Sequence, residues 1–523
     1  MVQALPPRGT ALLLALAGAL LVFRLGAVPL LGPDEPRYVR VAIEMYRAGE
    51  WVRPTLRGEA WLEKPPLYYW LAGAAFRLLG ETETAARLPS VLAGIALVAV
   101  TALVGTRLFG PAAGLHAGFV LAVSFLPVAY ARSASMDALL AFTVTTAIGL
   151  LGLAALGIAG RLAVPAAFAF MGLATLAKGP LGILLPLLVA GVYALLARDG
   201  RLLRALLSPL GLLLLILVAG PWYVAILRDQ GWQFVEVFLL NHNVDRYIST
   251  IHSHPGPPYY YLPVILLGLF PWSGLLLPAL GGLQPSRSRT DLFLLIWFLM
   301  PFLFFSAAGS KLPGYILPCL PPLALLTGRA AARLVAGEPA AGAWAGPRAA
   351  ALVGLVLGAL LAATPAFLRF RLGEPDWTLA VPFGLWCVIV ALGFSRRVGA
   401  DPAGALRLLR VGGAGAILLL TLAAPSVLAR HQSGRRLFVP AMGREVLAWG
   451  AWRTAWMAGY FYNDGRVREV DDLSDIQEAL DRGPALVLVG PDERRQLEAL
   501  PALAVHPLAA GPEQNALLRL ERR

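Results

Sequence analysis

The chain has 523 residues, 58% of them hydrophobic and only 14% charged, with a mean hydropathy of +0.68. Soluble globular chains carry about 45–50% apolar and about 25% charged residues, so the composition excludes a soluble enzyme and an intrinsically disordered chain. A net charge of +13 would suit a nucleic-acid binder only if the cations were clustered. Cys319 and Cys387 sit far apart in apolar runs, which excludes a disulfide framework and any CxxC site; both read as small buried hydrophobes.

A bilayer core needs about 20 apolar residues per helix. Candidate spans lie near 9–31, 88–109, 112–131, 136–159, 161–177, 180–198, 203–227, 259–283, 290–308, 312–335, 348–368, 379–395 and 408–428. The pattern predicts an all-α polytopic membrane domain of about thirteen spans over residues 1–430. The first span is longer than a signal-peptide core and is preceded by Arg8 alone, so it reads as a retained helix. With the N-terminus in the cytoplasm, basic residues of the short loops favour the cytoplasmic side by roughly two to one, which sets the orientation. The charge is therefore largely loop arginine, and a nucleic-acid partner is excluded. An odd span count places the C-terminus outside, in the periplasm of a bacterium.

Two outer connections are long, 32–87 and 228–258, and long loops are usually functional. In the first, Val39, Ala42, Ile43 and Tyr46 recur at helical spacing opposite Arg40, Glu44 and Arg47. This predicts an amphipathic helix in the membrane interface. Pro65–Leu79 is apolar but too short to span, and reads as a second interfacial helix. Residues 431–523 lose the apolar runs and predict a small soluble α/β domain. Within it, Ser474–Gln477 reads as a capping box opening a helix that Gly483 ends. Ala485–Val489 reads as a buried strand and Pro491–Leu500 as a helix.

The chemistry-bearing residues gather on the outer side. Asp34 and Glu35 follow the first span, with Arg37 beside them. Such a carboxylate can orient or deprotonate an acceptor hydroxyl, or simply cap a helix. Glu63-Lys64 precedes Pro65-Pro66 and an aromatic cluster, and Lys64 can hold a phosphate as a point charge. Asp137 opens the fourth span, where a helix N-terminus also favours an acid. Lys178 and Lys311 stand between long apolar runs, facing either a cavity or, by snorkelling, the interface. His242, His252 and His254 share the second loop with Asp245 and Arg246. This spacing permits a metal but matches no strict zinc motif. Walker, GxGxxG, HExxH and GxSxG patterns are absent, which speaks against an ATP-driven pump.

In order, the motifs are Pro-Asp-Glu-x-Arg-Tyr, Glu-Lys-Pro-Pro, Met-Asp, Ala-Lys-Gly-Pro, His-Asn, Gly-Pro-x-Tyr-Tyr-Tyr-Leu-Pro and Ser-Lys-Leu-Pro-x-Tyr-Ile-Leu-Pro. This series resembles the family-39 glycosyltransferases of the GT-C fold. That family includes protein O-mannosyltransferases and, most similar, the bacterial branch that transfers aminoarabinose to lipid A. The resemblance implies inverting transfer from a polyprenyl-phosphate sugar to lipid A or a related envelope acceptor, at the periplasmic face of the inner membrane. It implies Asp34 as the first-loop catalytic aspartate, with Asp137 and Glu35 as further acids. It implies Lys64, Arg37, Arg246, Tyr315, Lys311 and Lys178 around the donor phosphate, and Glu63 and His242 as ligands of a divalent metal such as Zn or Mg/Mn. The competing readings are the same chemistry on a protein or glycan acceptor, and a transporter of lipid-linked sugars. The transporter would show symmetric halves and ionisable residues at the midplane, and neither is found.

Overall fold

A computed structural model describes residues 5–245, 256–338, 347–363, 377–431, 433–441 and 443–523. The chain divides into two units. One comprises Met1–Phe23, Leu62–Tyr68 and Pro89–Leu420; the other comprises Arg24–Trp61, Tyr69–Leu88 and Thr421–Arg523.

The first unit is helical, and every predicted span overlaps an apolar helix or a bent pair of helices. Five helices among the described residues are long and apolar enough to cross a membrane, or seven if each bent pair is one span. Helices Pro7–Val22, Ala163–Lys178, Leu181–Leu196 and Pro347–Ala362 are apolar but shorter. The chain is a multi-pass membrane protein.

Two apolar helix pairs are sharply bent at a short break. Pro111–Ala122 meets Phe125–Ala131 at 64°, and Tyr261–Gly268 meets Trp272–Gly281 at 112°. A break inside lipid frees carbonyls that must find donors within the protein. Ser124 supplies one to both breaks: its hydroxyl donates to Val120 O at 2.5 Å and to Leu269 O at 3.3 Å. Close helix packing elsewhere rests on missing side chains. A Cβ on Gly328 would come within 2.5 Å of Ala113 O, and one on Gly114 within 2.5 Å of Ala102 O. Small residues let membrane helices approach backbone to backbone, which is how helix Leu320–Val335 seats on Pro111–Ala122. Asp199 and Asp401 are used as helix caps. Asp199 accepts from Arg201 N and Leu202 N, and Asp401 accepts from Gly404 N. Asp291 is buried and pairs with Arg329.

The second unit is built on a five-stranded sheet of β3 (Val446–Trp449), β4 (Val467–Val470), β5 (Ala485–Val489), β6 (Leu503–Ala510) and β7 (Ala516–Arg522), in the order β4-β3-β5-β7-β6. β3 pairs in parallel with β4 and β5, while β7 runs antiparallel to β5 and β6. β5 is buried at all five positions, as expected of a strand covered on both faces. Leu486, Leu488 and Leu517 pack with Phe438, Trp456 and Tyr460 on one face, and Val487, Val489 and Leu518 with Ile476, Leu480 and Leu497 on the other. The predicted strand 485–489 is therefore present, and the helix predicted at 491–500 is Pro491–Glu498. The capping box is not where the sequence placed it. The helix is Leu473–Asp481, and Asp472, not Ser474, is its cap, accepting from Ser474 N at 2.9 Å. Asp and Ser compete for this role through the same short oxygen reach, and the residue two positions earlier won.

First-loop residues share this unit with the sheet. The amphipathic segment is the helix Asp34–Ala48, with Val39, Ala42 and Ile43 buried. The segment at 65–79 is the helix Leu67–Leu79. Between them lies a tight hairpin, β1 (Thr55–Leu56) against β2 (Glu59–Ala60), whose turn residues Arg57 and Gly58 both have positive φ. This suits the right-handed twist of its strands. Glu44 anchors the turn, accepting from Arg57 N, Gly58 N and the Thr55 hydroxyl at 2.9–3.1 Å.

Candidate active site

Helices Asp137–Ala155 and Ala163–Lys178 are consecutive and antiparallel, so the first residue of one and the last of the other lie at the same end. There the Asp137 carboxylate accepts from the Lys178 ammonium. The acid sits at a helix N-terminus and the cation at a helix C-terminus, each on the side its helix dipole favours. Neither side chain is more than 17% exposed, so Lys178 is not a snorkelling lysine at a wet helix end. Its Nζ also lies 5.1 Å from the centroid of the Tyr315 ring, a cation–π contact that strengthens out of water.

Tyr315 belongs to the 3-10 segment Pro313–Cys319. Gly314 beside it leaves room for the Tyr130 ring, whose Cε1 would lie 2.5 Å from an added Cβ. Lys311, buried, donates to Ala308 O at 2.6 Å, at the C-terminus of helix Arg289–Ala307. Gly179 ends the Lys178 helix with φ +80, and Phe238 packs where a side chain would be, 2.6 Å from an added Cβ. Both the backbone angle and the contact demand glycine there. Phe238 lies in the π-helical segment Val235–Asp245, and His242 follows one turn later. His242 Nε2 is 3.6 Å from Glu63 Oε1, both side chains being less than 20% exposed. Lys64, next in sequence and 9% exposed, donates to Glu63 O at 3.2 Å. In this unit the structure thus joins Asp137, Lys178 and Tyr315, and joins Glu63, Lys64 and His242. Among the described residues no group of three or more His, Cys, Asp or Glu side chains is placed to hold a metal. Arg246 lies outside the described residues.

Asp34, Glu35 and Arg37 belong to the second unit. Asp34, in the first turn of its helix, has a half-exposed side chain and accepts from Arg37 Nη2 at 2.6 Å. Arg37 is buried beneath, with its guanidinium carbon 5.0 Å from the Trp61 ring centroid and 5.5 Å from that of Tyr38. Arg37 therefore orients Asp34. Glu35 is placed differently from Asp34. Both its oxygens are committed to the Arg87 guanidinium, at 2.8 and 3.2 Å, and one also accepts from Leu31 N at 2.7 Å. Burial at 5% exposure and this pairing make it a structural anchor.

Arg87 is a residue that the motif series does not contain. It is 2% exposed and also donates to Leu25 O, Val28 O and Pro29 O at 2.6–2.9 Å, fastening the segment after the first span. A signal for it exists in the sequence, since an arginine inside an apolar helix implies a built partner. Arg132 has a structural task. It donates to Leu20 O, Leu21 O and Phe23 O at 2.7–3.0 Å, capping helix Pro7–Val22.

The model of a dolichyl-phosphate-mannose–protein mannosyltransferase family matches residues 63–224. An undecaprenyl phosphate-α-4-amino-4-deoxy-L-arabinose arabinosyl transferase of Pseudomonas aeruginosa is 33% identical over 370 residues, covering 69% of this chain and 65% of the relative. Its counterpart in Edwardsiella ictaluri is 32% identical over 302 residues, covering 56% and 54%. The crystal structure of ArnT from Cupriavidus metallidurans bound to undecaprenyl phosphate superposes with a TM-score of 0.76 at 23% identity, over 97% of both chains. This chain has the fold of that crystal structure. The archaeal oligosaccharyltransferase AglB from Archaeoglobus fulgidus shares the fold more distantly, with a TM-score of 0.52 at 13% identity over 93% of this chain and 69% of that one. The chain spans just under two thirds of the length of the curated arabinosyl transferases it matches.

Proposed function

We propose that this chain is an inverting glycosyltransferase that moves a sugar from a polyprenyl phosphate to lipid A or a related envelope acceptor. The observation that carries the reading is the Lys178 ammonium, part-buried at the end of apolar helices, braced by Asp137 and covered by Tyr315. A cation held ready in a low-dielectric site stabilises charge as it develops on a leaving phosphate. The relatives' names supply the substrate class: a sugar on undecaprenyl phosphate, with aminoarabinose as the sugar. Lys64, Lys311 and Arg246 add cations for the phosphate. Asp34, oriented by Arg37, positions or deprotonates the acceptor hydroxyl; a phosphate acceptor would need positioning alone. Glu63 and His242 would hold a divalent cation, since a carboxylate and an imidazole suit zinc or manganese. Such a cation would add positive charge beside the phosphate.

Transfer takes place at the outer, periplasmic face of the bacterial inner membrane, across a domain of about thirteen spans, with the C-terminal residues outside. Loop cations support this orientation.

The test is reconstitution with an isoprenyl-phosphate sugar and a panel of lipid A, glycan and protein acceptors. Asp34→Asn and Lys64→Ala are each expected to lower transfer by about 10²-fold or more, with wild-type expression. Unchanged transfer in both would overturn the assignment of these residues. Lipid translocation without transfer to any acceptor would establish the transporter instead. The orientation is read from a cysteine at Gln496, which is exposed on helix Pro491–Glu498. A membrane-impermeant thiol reagent added outside the inner membrane is expected to label it without permeabilisation of that membrane.

A further inference from the structure

The polar face of helix Asp34–Ala48 is the feature the proposed chemistry leaves unexplained. Arg40, Glu44 and Arg47 fall at intervals of four and three, on one side of the helix. A helix lying in the membrane interface would turn that face to water. In this unit it meets the turn Asn463-Asp464-Gly465 that leads into β4. Asp464 Oδ1 accepts from Arg40 Nη1 at 2.7 Å and from Arg47 Nη1 at 2.8 Å. Arg47 also makes a two-pronged pair with Glu81, at 2.6 and 2.8 Å, and Arg40 donates to Glu44 at 2.7 Å. The turn is shaped for this contact. Asp464 and Gly465 both have positive φ, 52° and 77°, and an added Cβ on Gly465 would lie 3.0 Å from the Arg40 guanidinium.

A second contact comes from the residue two positions earlier. The Tyr462 hydroxyl accepts from Leu30 N at 2.7 Å and donates to Glu83 at 3.2 Å. Arg435 approaches the same Glu83 oxygen at 3.4 Å, with its guanidinium carbon 5.5 Å from the centre of the Tyr462 ring. Leu30 lies between the carbonyls held by Arg87 and the Leu31 amide held by Glu35. The segment entering the Asp34 helix is thus fixed on one side by Arg87 and Glu35 and on the other by Tyr462.

We propose that Tyr462 and Asp464 are positioning residues for the transfer reaction: the C-terminal sheet domain clamps the helix that begins at Asp34 and fixes the direction in which that carboxylate points. Tyr462 holds the approach to the helix and Asp464 holds its far turns, so the helix is gripped at both ends. The inference rests on the transferase reading through Asp34, but the clamp itself is a property of the loop and is measurable without turnover.

The experiment uses the full-length protein in lipid nanodiscs and compares wild type with Tyr462→Phe, Asp464→Asn, Asp464→Glu and the Tyr462→Phe/Asp464→Asn double variant. Hydrogen exchange is followed at the amides of residues 30–48 and, as an internal reference, of β5. The expected result is exchange at 30–48 at least tenfold faster in the double variant, with β5 unchanged and the Asp464→Glu variant close to wild type. In the transfer assay, kcat is expected to fall about tenfold in the double variant while the donor KM stays within twofold, because the donor site is intact and the acceptor acid is misdirected. Unchanged exchange at 30–48 would overturn the clamp. Faster exchange at 30–48 with kcat unchanged would overturn the positioning role. If wild type itself transfers no sugar, the transferase reading fails, while the exchange arm still decides whether the clamp exists.

Discussion

Replacing Arg87 with methionine is expected to destabilise the unit that contains it by about 3–5 kcal/mol, the usual cost of stripping one partner from a buried ion pair. The methionine preserves the aliphatic stem but leaves the Glu35 carboxylate buried without its cation and frees the carbonyls of Leu25, Val28 and Pro29. Each unpaired buried group adds a desolvation cost. The measurement is thermal unfolding in detergent, with limited proteolysis of the first outer loop as a local readout. Adding Glu35→Gln to Arg87→Met removes the uncompensated charge and is expected to recover part of the loss, because the two residues act as one unit. A single variant that melts within about 2 °C of wild type would show that water, rather than Glu35 and the three carbonyls, satisfies Arg87.

The same pair shows what the sequence makes legible and what it hides. Asp34 and Glu35 are adjacent and chemically equivalent in the sequence, and both read there as catalytic acids. What separates them is helix geometry. Successive residues of a helix point about 100° apart, so one carboxylate is half exposed beside Arg37 while the other turns inward to a guanidinium 52 residues later. No local spacing contains that information. The helical segments are legible because one effect, transfer of apolar side chains out of water, governs runs of span length. Asp137 and Lys178 are legible as a pair in principle: two antiparallel neighbours put the start of one and the end of the other together. The clamp is not legible. Arg40, Glu44 and Arg47 form the polar face that either a membrane-surface helix or a protein-packed helix would show, and the partner turn lies more than 400 residues away. The carboxyl that joins them is held below its ordinary range: burial alone would raise it, and hydrogen bonds from Arg40 and Arg47 outweigh that.

Lys178→Met is expected to cut transfer by about 10²–10³-fold, comparable to removing one preorganised charge-stabilising donor from an active site. The substitution keeps the apolar stem of the side chain but removes the ammonium that Asp137 braces and that lies over the Tyr315 ring. Two explanations of such a loss must be separated. Lys178 can act on the leaving phosphate, or it can merely neutralise Asp137 at the buried end of two helices. The Lys178→Met/Asp137→Asn double variant distinguishes them, because it removes both charges and leaves nothing to neutralise. If Lys178 only balances Asp137, stability and transfer return together in the double variant. If Lys178 carries charge to the phosphate, the double variant recovers its melting temperature and stays slow. The proposed mechanism predicts the second outcome. It further predicts that Lys178→Arg, which keeps the charge but spreads it over a planar fork, retains more transfer than methionine and less than lysine.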